Sequence, residues 1–269
     1  MIMISHFFSW QKFPQEMWPH FAAEFRDNGA EALVLTHSLT AKLLAEPDFD
    51  AFLCGFIRRS GLKFAGSHAP FGPGWDLNSI TEENLDTLEN LIRQLPRWGV
   101  DSCTIHIGLL QTSLEKARSS ALRNLERLIP VAEKAGIVAA IENAEHPGGS
   151  VGELLWFRSR IDSAALGFCY DSGHAHVNGG AVDVLERMLS DVVVCHLHDN
   201  DGLHDLHRCP GNGTVPWNEI IPLLRKAPRM THWQNEVNVL ASDISIRKLC
   251  GIFSAMEAGC APVEECRSV

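Results

Sequence analysis

The chain has 269 residues, 45% hydrophobic and 21% charged, with a formal net charge of −10. That length buries a sizeable core as one large domain or two small ones, with the composition of an ordinary globular protein. The acidic balance argues against a nucleic-acid surface, which needs clustered Lys and Arg, and no apolar run approaches the roughly 20 residues of a membrane span.

Strand and helix patterns then alternate along the chain. Residues 2–8 predict a strand. Residues 14–27 carry helical spacing (Met17, Phe21, Ala22, Phe25), with Pro14 in the first turn and Gly29 as the stop. Residues 32–35 predict a strand ending in Thr36-His37. A helical stretch over 41–59 is interrupted by Pro47. A short strand over 62–66 leads into Ser67-His68-Ala69-Pro70-Phe71-Gly72 and a Gly/Pro-rich loop to Trp75. Thr81 opens a helix with Leu85, Leu88, Leu91, Ile92 and Leu95 on one face. A strand over 102–107 contains His106, and a long amphipathic helix over 113–135 stops at Gly136. The strand over 137–141 ends in Glu142-Asn143, and a helix covers 151–161. The strand over 166–170 ends in Asp171-Ser172-Gly173-His174, before a helix over 182–189. The apolar strand 192–195, a helix over 216–226, a strand over 230–234 leading to Asn235-Glu236, and a helix over 244–257 complete the chain.

About eight strand–helix units with short connections imply a parallel sheet, and eight suggest a closed α/β (β/α)8 TIM barrel. No G-x-G-x-x-G follows a strand, so an open dinucleotide-binding sheet lacks support. No linker divides the units, which gives one barrel domain over 1–258 and a C-terminal tail over 259–269. The eight cysteines form no C-x-x-C pair and several sit in apolar runs, so a reducing cytoplasm is expected. Cys260 and Cys266 are the one pair worth checking for a bridge. The N-terminus lacks a basic n-region and a cleavage site, and reads as a first strand rather than a signal peptide.

The chemistry concentrates at the strand ends. Of residues 195–207, seven are His or Asp, directly after Val192-Val193-Val194-Cys195. A solvated His-rich loop would explain that stretch alone, but not six successive strands ending alike. His68, His106, Glu142, Asp171 with His174, His196 with Asp205 and His207, and Glu236 all fall where a barrel keeps its active site. Singly, His68 could be a satisfied loop histidine and either glutamate a structural ion pair; six buried polar ends without partners would be costly. Glu142, Asp171, His196 and Glu236 come from consecutive strands and suit a divalent ion such as Zn, Mn or Co. Glu142 and Glu236, expected on nearly opposite sides of the mouth, suit an acid/base pair for proton abstraction beside a carbonyl. Trp75, Trp217 and Phe71 could stack on a sugar or simply pin their loops. Arg208 is the nearest cation and could hold a phosphate or carboxylate, or lie on the surface. His176, His198 and His204 could support the site or be solvated.

Ser67-His68-Ala69-Pro70-Phe71, Ile141-Glu142-Asn143, Asp171-Ser172-Gly173-His174 and the run from His196 to Trp217 resemble the xylose isomerase-like TIM-barrel superfamily, over roughly residues 2–255. The resemblance implies two alternatives. Ketose 3-epimerase-like members imply one metal on Glu142, Asp171, His196 and Glu236, the two glutamates moving a proton across a metal-bound enediolate, and His174 on substrate. Endonuclease IV-like members imply three zinc ions on His68, His106, Glu142, Asp171, His174, His196, Asp205, His207 and Glu236, and phosphodiester hydrolysis. The expectation is therefore a sugar or sugar phosphate isomerase or epimerase with one to three divalent ions per chain and a small polyhydroxy substrate. The multi-zinc hydrolase is the alternative, and a non-catalytic metal- or sugar-binding barrel the third. Exposed barrel helices leave room for a homo-oligomer.

Overall fold

A computed structural model describes residues 2–262. In chain order the elements are β1 (Met3–His6), α1 (Trp18–Asp27), β2 (Ala32–Leu35), α2 (His37–Ala45), α3 (Phe49–Ser60), β3 (Lys63–His68), α4 (Glu82–Gln94) and β4 (Ser102–Ile105). There follow α5 (Leu114–Ala135), β5 (Val138–Glu142), α6 (Val151–Arg158), β6 (Leu166–Asp171), α7 (Ser172–Val177), α8 (Ala181–Met188), β7 (Val192–Leu197), α9 (Trp217–Leu224), β8 (His232–Asn235) and α10 (Ile246–Glu257). Each strand pairs in parallel with its sequence neighbour, and β8 closes on β1 through Met3↔His232 to His6↔Asn235. This is the closed (β/α)8 barrel that the alternation predicts.

The strands are mostly buried because both faces of the sheet are covered, and β2 and most of β7 are correspondingly apolar. Every residue of β6 and β7 is buried. Ala140, Cys169, Val193 and Val194 form a small buried cluster separate from the main core. The larger cluster packs the strands against the helices, with Trp10, Phe25 and Phe253 fully buried.

Local chemistry sets the helix ends. Thr81, Ser113 and Ser245 each accept a backbone N–H three residues on, capping α4, α5 and α10. Gly136 stops α5 at φ +70°. Two expectations need correction. The stretch over 41–59 is two helices, because Glu46, before Pro47, is extended (φ −124°, ψ 102°). The second is α7, which the sequence does not signal because Asp171-Ser-Gly-His reads as a strand end. The Asp171 carboxylate caps it, accepting the His174 N–H at 2.7 Å.

Among the described residues no helix is long and apolar enough to cross a membrane. Of the pair expected to merit checking, Cys260 is exposed and Cys266 lies outside the described residues.

Candidate metal centre

Parallel strands deliver their last residues to one face of the barrel. Glu142 ends β5, Asp171 ends β6, His196 is next to last in β7, and Glu236 follows β8. Their side chains meet. His196 Nδ1 lies 3.1 Å from Glu142 Oε1, 3.1 Å from Glu236 Oε2 and 3.9 Å from Asp171 Oδ2. Glu142 and Glu236 therefore do not stand apart across the mouth. Their strands are three positions apart, but the carboxylates converge on one imidazole. One donor atom from each of the four lies within 4.8 Å of the others, as metal bonds of about 2.0–2.3 Å require.

Two further groups adjoin this one. His68 and His106 bring Nε2 to 3.5 and 3.0 Å from Glu142 Oε2, forming the compact set His68, His106 and Glu142. His198, Asp205 and His207 form another. His174 lies between: Nδ1 is 3.6 Å from both Glu142 Oε1 and Asp171 Oδ1, and Nε2 is 3.5 Å from Asp205 Oδ2.

Backbone carbonyls orient three of these rings. His68 Nδ1 bonds the Ala69 carbonyl at 2.7 Å, His174 Nδ1 that of Asn143 at 3.0 Å, and His207 Nδ1 that of Glu236 at 2.8 Å. A carbonyl only accepts, so these bonds assign the proton to Nδ1 and leave each Nε2 facing carboxylate. Carbonyls orient metal-ligating histidines in the same way.

The electrostatics are those of a site short of positive charge. Burial opposes ionisation of Glu142, yet His196 and His106 hold its carboxyl well below the ordinary range. Burial likewise opposes Glu236, which His196 and His207 hold low. In turn, burial works against protonated His174, but Asp171 and Asp205 raise it well above its usual value. His207 is lifted to about 10 against burial by its bond to Asp205. Buried carboxylates and imidazoles with outward-anchored Nδ1 atoms fit a divalent cation.

Beside Glu236 opens a cavity of about 240 Å³, with Glu236 and His207 on one wall and Ser9, Gln11, Thr36 and Ser38 among the others. His37 also borders it and is lowered to about 4 by burial and by His68. Another cavity, of 260 Å³, lies between β1 and α10 and touches none of these site residues.

The expected substrate contacts fare unevenly. Trp217 is not available for stacking. It is buried, and its Nε1 donates to Asp199 Oδ2 at 2.9 Å. Trp75 is half-buried in the β3–α4 loop, its backbone N–H bonded to the Gly72 carbonyl. Phe71 is exposed and sits over the histidines, its ring 4.7 Å from His106 and 5.4 Å from His68. Arg208 pairs its backbone with Asp199 and does not line the cavity. His176 bonds Thr214 Oγ1 at 2.8 Å, and His204 lies exposed beside Asp201.

Other neighbours had no separate signal in the sequence. Cys169, two residues before Asp171 on β6, groups with Glu142 and His196, and Thr104 Oγ1 is 3.5 Å from His196 Nε2. The period of two along β6 could have found Cys169.

An uncharacterized protein of Methanocaldococcus jannaschii is 26% identical over 234 residues, covering 74% of this chain and 79% of its own. A D-tagatose 3-epimerase-like protein superimposes with a TM-score of 0.71 at 19% identity, covering 87% of this chain and 90% of that one. The 3-keto-D-glucoside 4-epimerase YcjR of E. coli gives 0.74 at 15% identity, covering 96% and 99%. The IolI protein with a bound zinc atom gives 0.72 at 15%, covering 95% and 97%. At these identities the structural likeness speaks for the fold. The sequence itself matches the family over residues 22–234, and the chain belongs to the xylose isomerase-like TIM barrel family.

Proposed function

We propose that this protein is a divalent-metal-dependent isomerase or epimerase of a small sugar or sugar phosphate. The observation that carries this reading is the convergence of Glu142, Asp171, His196 and Glu236 beside a cavity that Glu236 lines. Epimerases among the similar folds, and the IolI protein with its bound zinc, support it. A divalent ion held by those four residues would polarise the substrate's oxygens.

The chain's own groups divide the remaining work. Glu236 is half-buried and borders the cavity, so its carboxylate takes the proton next to the substrate carbonyl. Glu142 has Oε1 beside His196 and Oε2 beside His106, contacts that place its carboxylate as the second of the two acid/base groups. Ser9, Gln11 and Ser38 offer hydroxyl and amide groups to a polyhydroxy chain. The test is a panel of free and phosphorylated sugars given to the metal-loaded protein. Conversion by the wild type, with Glu142→Gln and Glu236→Gln each strongly impaired, supports the reading. Full turnover in either variant sinks it.

A second reading has its own observation. His68 and His106 both face Glu142 Oε2, so this carboxylate could bridge two ions, and clustered ions suit phosphodiester hydrolysis. Cleavage of abasic DNA, with no sugar converted, would favour it. The net charge of −10 weighs against a nucleic-acid substrate.

A further inference from the structure

The barrel lumen below the candidate metal centre is polar on one side, where branched apolar side chains usually fill such a barrel. Residues two apart on a strand share a face. Glu236 therefore continues downward as Gln234 and His232 on β8, and His106 as Thr104 and Ser102 on β4. Ser5 of β1 pairs in register with Gln234, and two residues below His68 on β3 is Gly66. A Cβ on Gly66 would collide with Gln234 Nε2 and stand 3.4 Å from Ser102 Oγ, so both side chains occupy the lumen beside it. β5, β6 and β7 supply the small apolar cluster of Ala140, Cys169, Val193 and Val194 instead.

The polar side is buried and incompletely bonded. Ser5, Ser102, Gln234 and His232 are each at most 4% exposed. Gln234 Nε2 faces the Ala65 carbonyl at 3.5 Å, which sets the amide's orientation and leaves Oε1 without a partner. Ser5 Oγ also has no hydrogen-bond partner among the described residues. His232 closes the lower mouth. β8 and β4 stand opposite in the ring of strands, yet His232 Nε2 bonds Oδ1 of Asp101, the residue before β4, at 2.6 Å. The carboxylate accepts, so Nε2 carries the proton, and Nδ1 is left buried and unbonded. Buried polar atoms of this kind are rarely left unmet.

We propose that this part of the lumen binds ordered water, held by Ser5, Ser102, Gln234 and His232 and shut off from solvent below by the Asp101–His232 pair. Water both donates and accepts, so it can join an amide oxygen, a hydroxyl and an imidazole nitrogen that do not reach one another. Three of the four groups are neutral hydroxyl or amide, and His232 already serves Asp101, so the set suits water rather than a metal ion. The polar column continues to the centre above. Thr104 is buried two residues beyond Ser102, with Oγ1 3.5 Å from His196 Nε2. Water at this level therefore underlies the candidate metal centre.

The test reads water rather than turnover or metal, so it stands apart from the function proposed above. A high-resolution crystal structure of the full, zinc-loaded chain should show at least one ordered water within hydrogen-bonding distance of Gln234 Oε1 and of Ser5 Oγ or Ser102 Oγ. In solution, deuteron relaxation dispersion counts long-lived internal waters. Gln234→Met, which keeps the volume and removes the amide, should lose at least one of them. Asp101→Ala should keep them but shorten their residence time. If Gln234→Met does not fold, as judged by circular dichroism, Ser5→Ala is measured in its place, with the same loss expected. A dry lumen whose side chains bond one another directly, or a folded Gln234→Met with the wild-type number of long-lived waters, overturns the proposal. An unchanged residence time in Asp101→Ala overturns the part given to the Asp101–His232 pair.

Discussion

Glu142 and Glu236 each place one carboxylate oxygen 3.1 Å from the same atom, His196 Nδ1. The two are not equivalent. Glu142 is buried and has its second oxygen 3.0 Å from His106, whereas Glu236 is half-buried and borders the cavity. Glu236→Gln should therefore lower turnover by about 10²–10⁴, the usual worth of a general acid or base, with a smaller change in KM. Glu142→Gln should lower turnover and also loosen His106. Steady-state kinetics on the converted sugar, with metal content measured for each variant, checks both.

The pH response should differ in sign between the metal-free and metal-loaded protein. Metal-free, His207 is raised to about 10 and His174 is raised well above its usual value. A raised histidine contributes stability in full below its unfolded value of about 6.5, and loses it as pH rises through the folded value. Glu142 and Glu236 are held low, so their contribution is present above about 4.3 and lost as pH falls. The metal-free melting temperature should thus peak between these limits and decline toward pH 10. Metal must displace the imidazole protons, so affinity should rise with pH and binding should release protons. Thermal scans across pH and calorimetry in buffers of different ionisation enthalpy test both signs.

Gly173 is required by the ring above it. A Cβ there would run into the His198 imidazole. Gly173→Ala should push that ring off Asp171 and destabilise the fold by about 1–3 kcal/mol, the usual range for overpacking. Urea denaturation of the metal-free protein measures it. A change within error would mean that His198 is not seated as described.

Asp199 organises the loop that carries Asp205 and His207. Its carboxylate accepts the N–H groups of Asn200, Gly211 and Val215 and the indole N–H of Trp217. Asp199→Ala leaves these donors unmet, at a cost of about 1–3 kcal/mol or more. Trp217→Phe removes one donor and should cost less. Chemical denaturation ranks the two variants, and limited proteolysis within 200–216 should be faster in Asp199→Ala.

Much of this was legible in the chain because periodicity reports burial. Runs such as Val192-Val193-Val194-Cys195 stand out as strands buried on both faces, and barrel geometry then sends Glu142, Asp171, His196 and Glu236 to one mouth. Less legible were features set by side-chain reach. Sequence spacing places β5 and β8 far apart around the ring, but does not show that their glutamates meet on His196. Nor does it distinguish Trp217, buried by a bond to Asp199, from Phe71, exposed above the histidines. The short α7 has too few residues for a helical period, and its cap is also a candidate ligand, Asp171. His198 falls at an ambiguous position until its bond to Asp171 fixes which nitrogen faces Asp205.

The proposed function rests on Glu142 and Glu236 moving a proton on a small polyhydroxy substrate. Its most direct test is solvent-deuterium exchange, followed by NMR, with metal-loaded protein and a panel of free and phosphorylated sugars in D2O. Deuterium should enter at the carbon next to the carbonyl of at least one sugar, with entry abolished in Glu236→Gln and reduced in Glu142→Gln. No exchange into any sugar, together with metal-dependent cleavage of a phosphodiester, would contradict it.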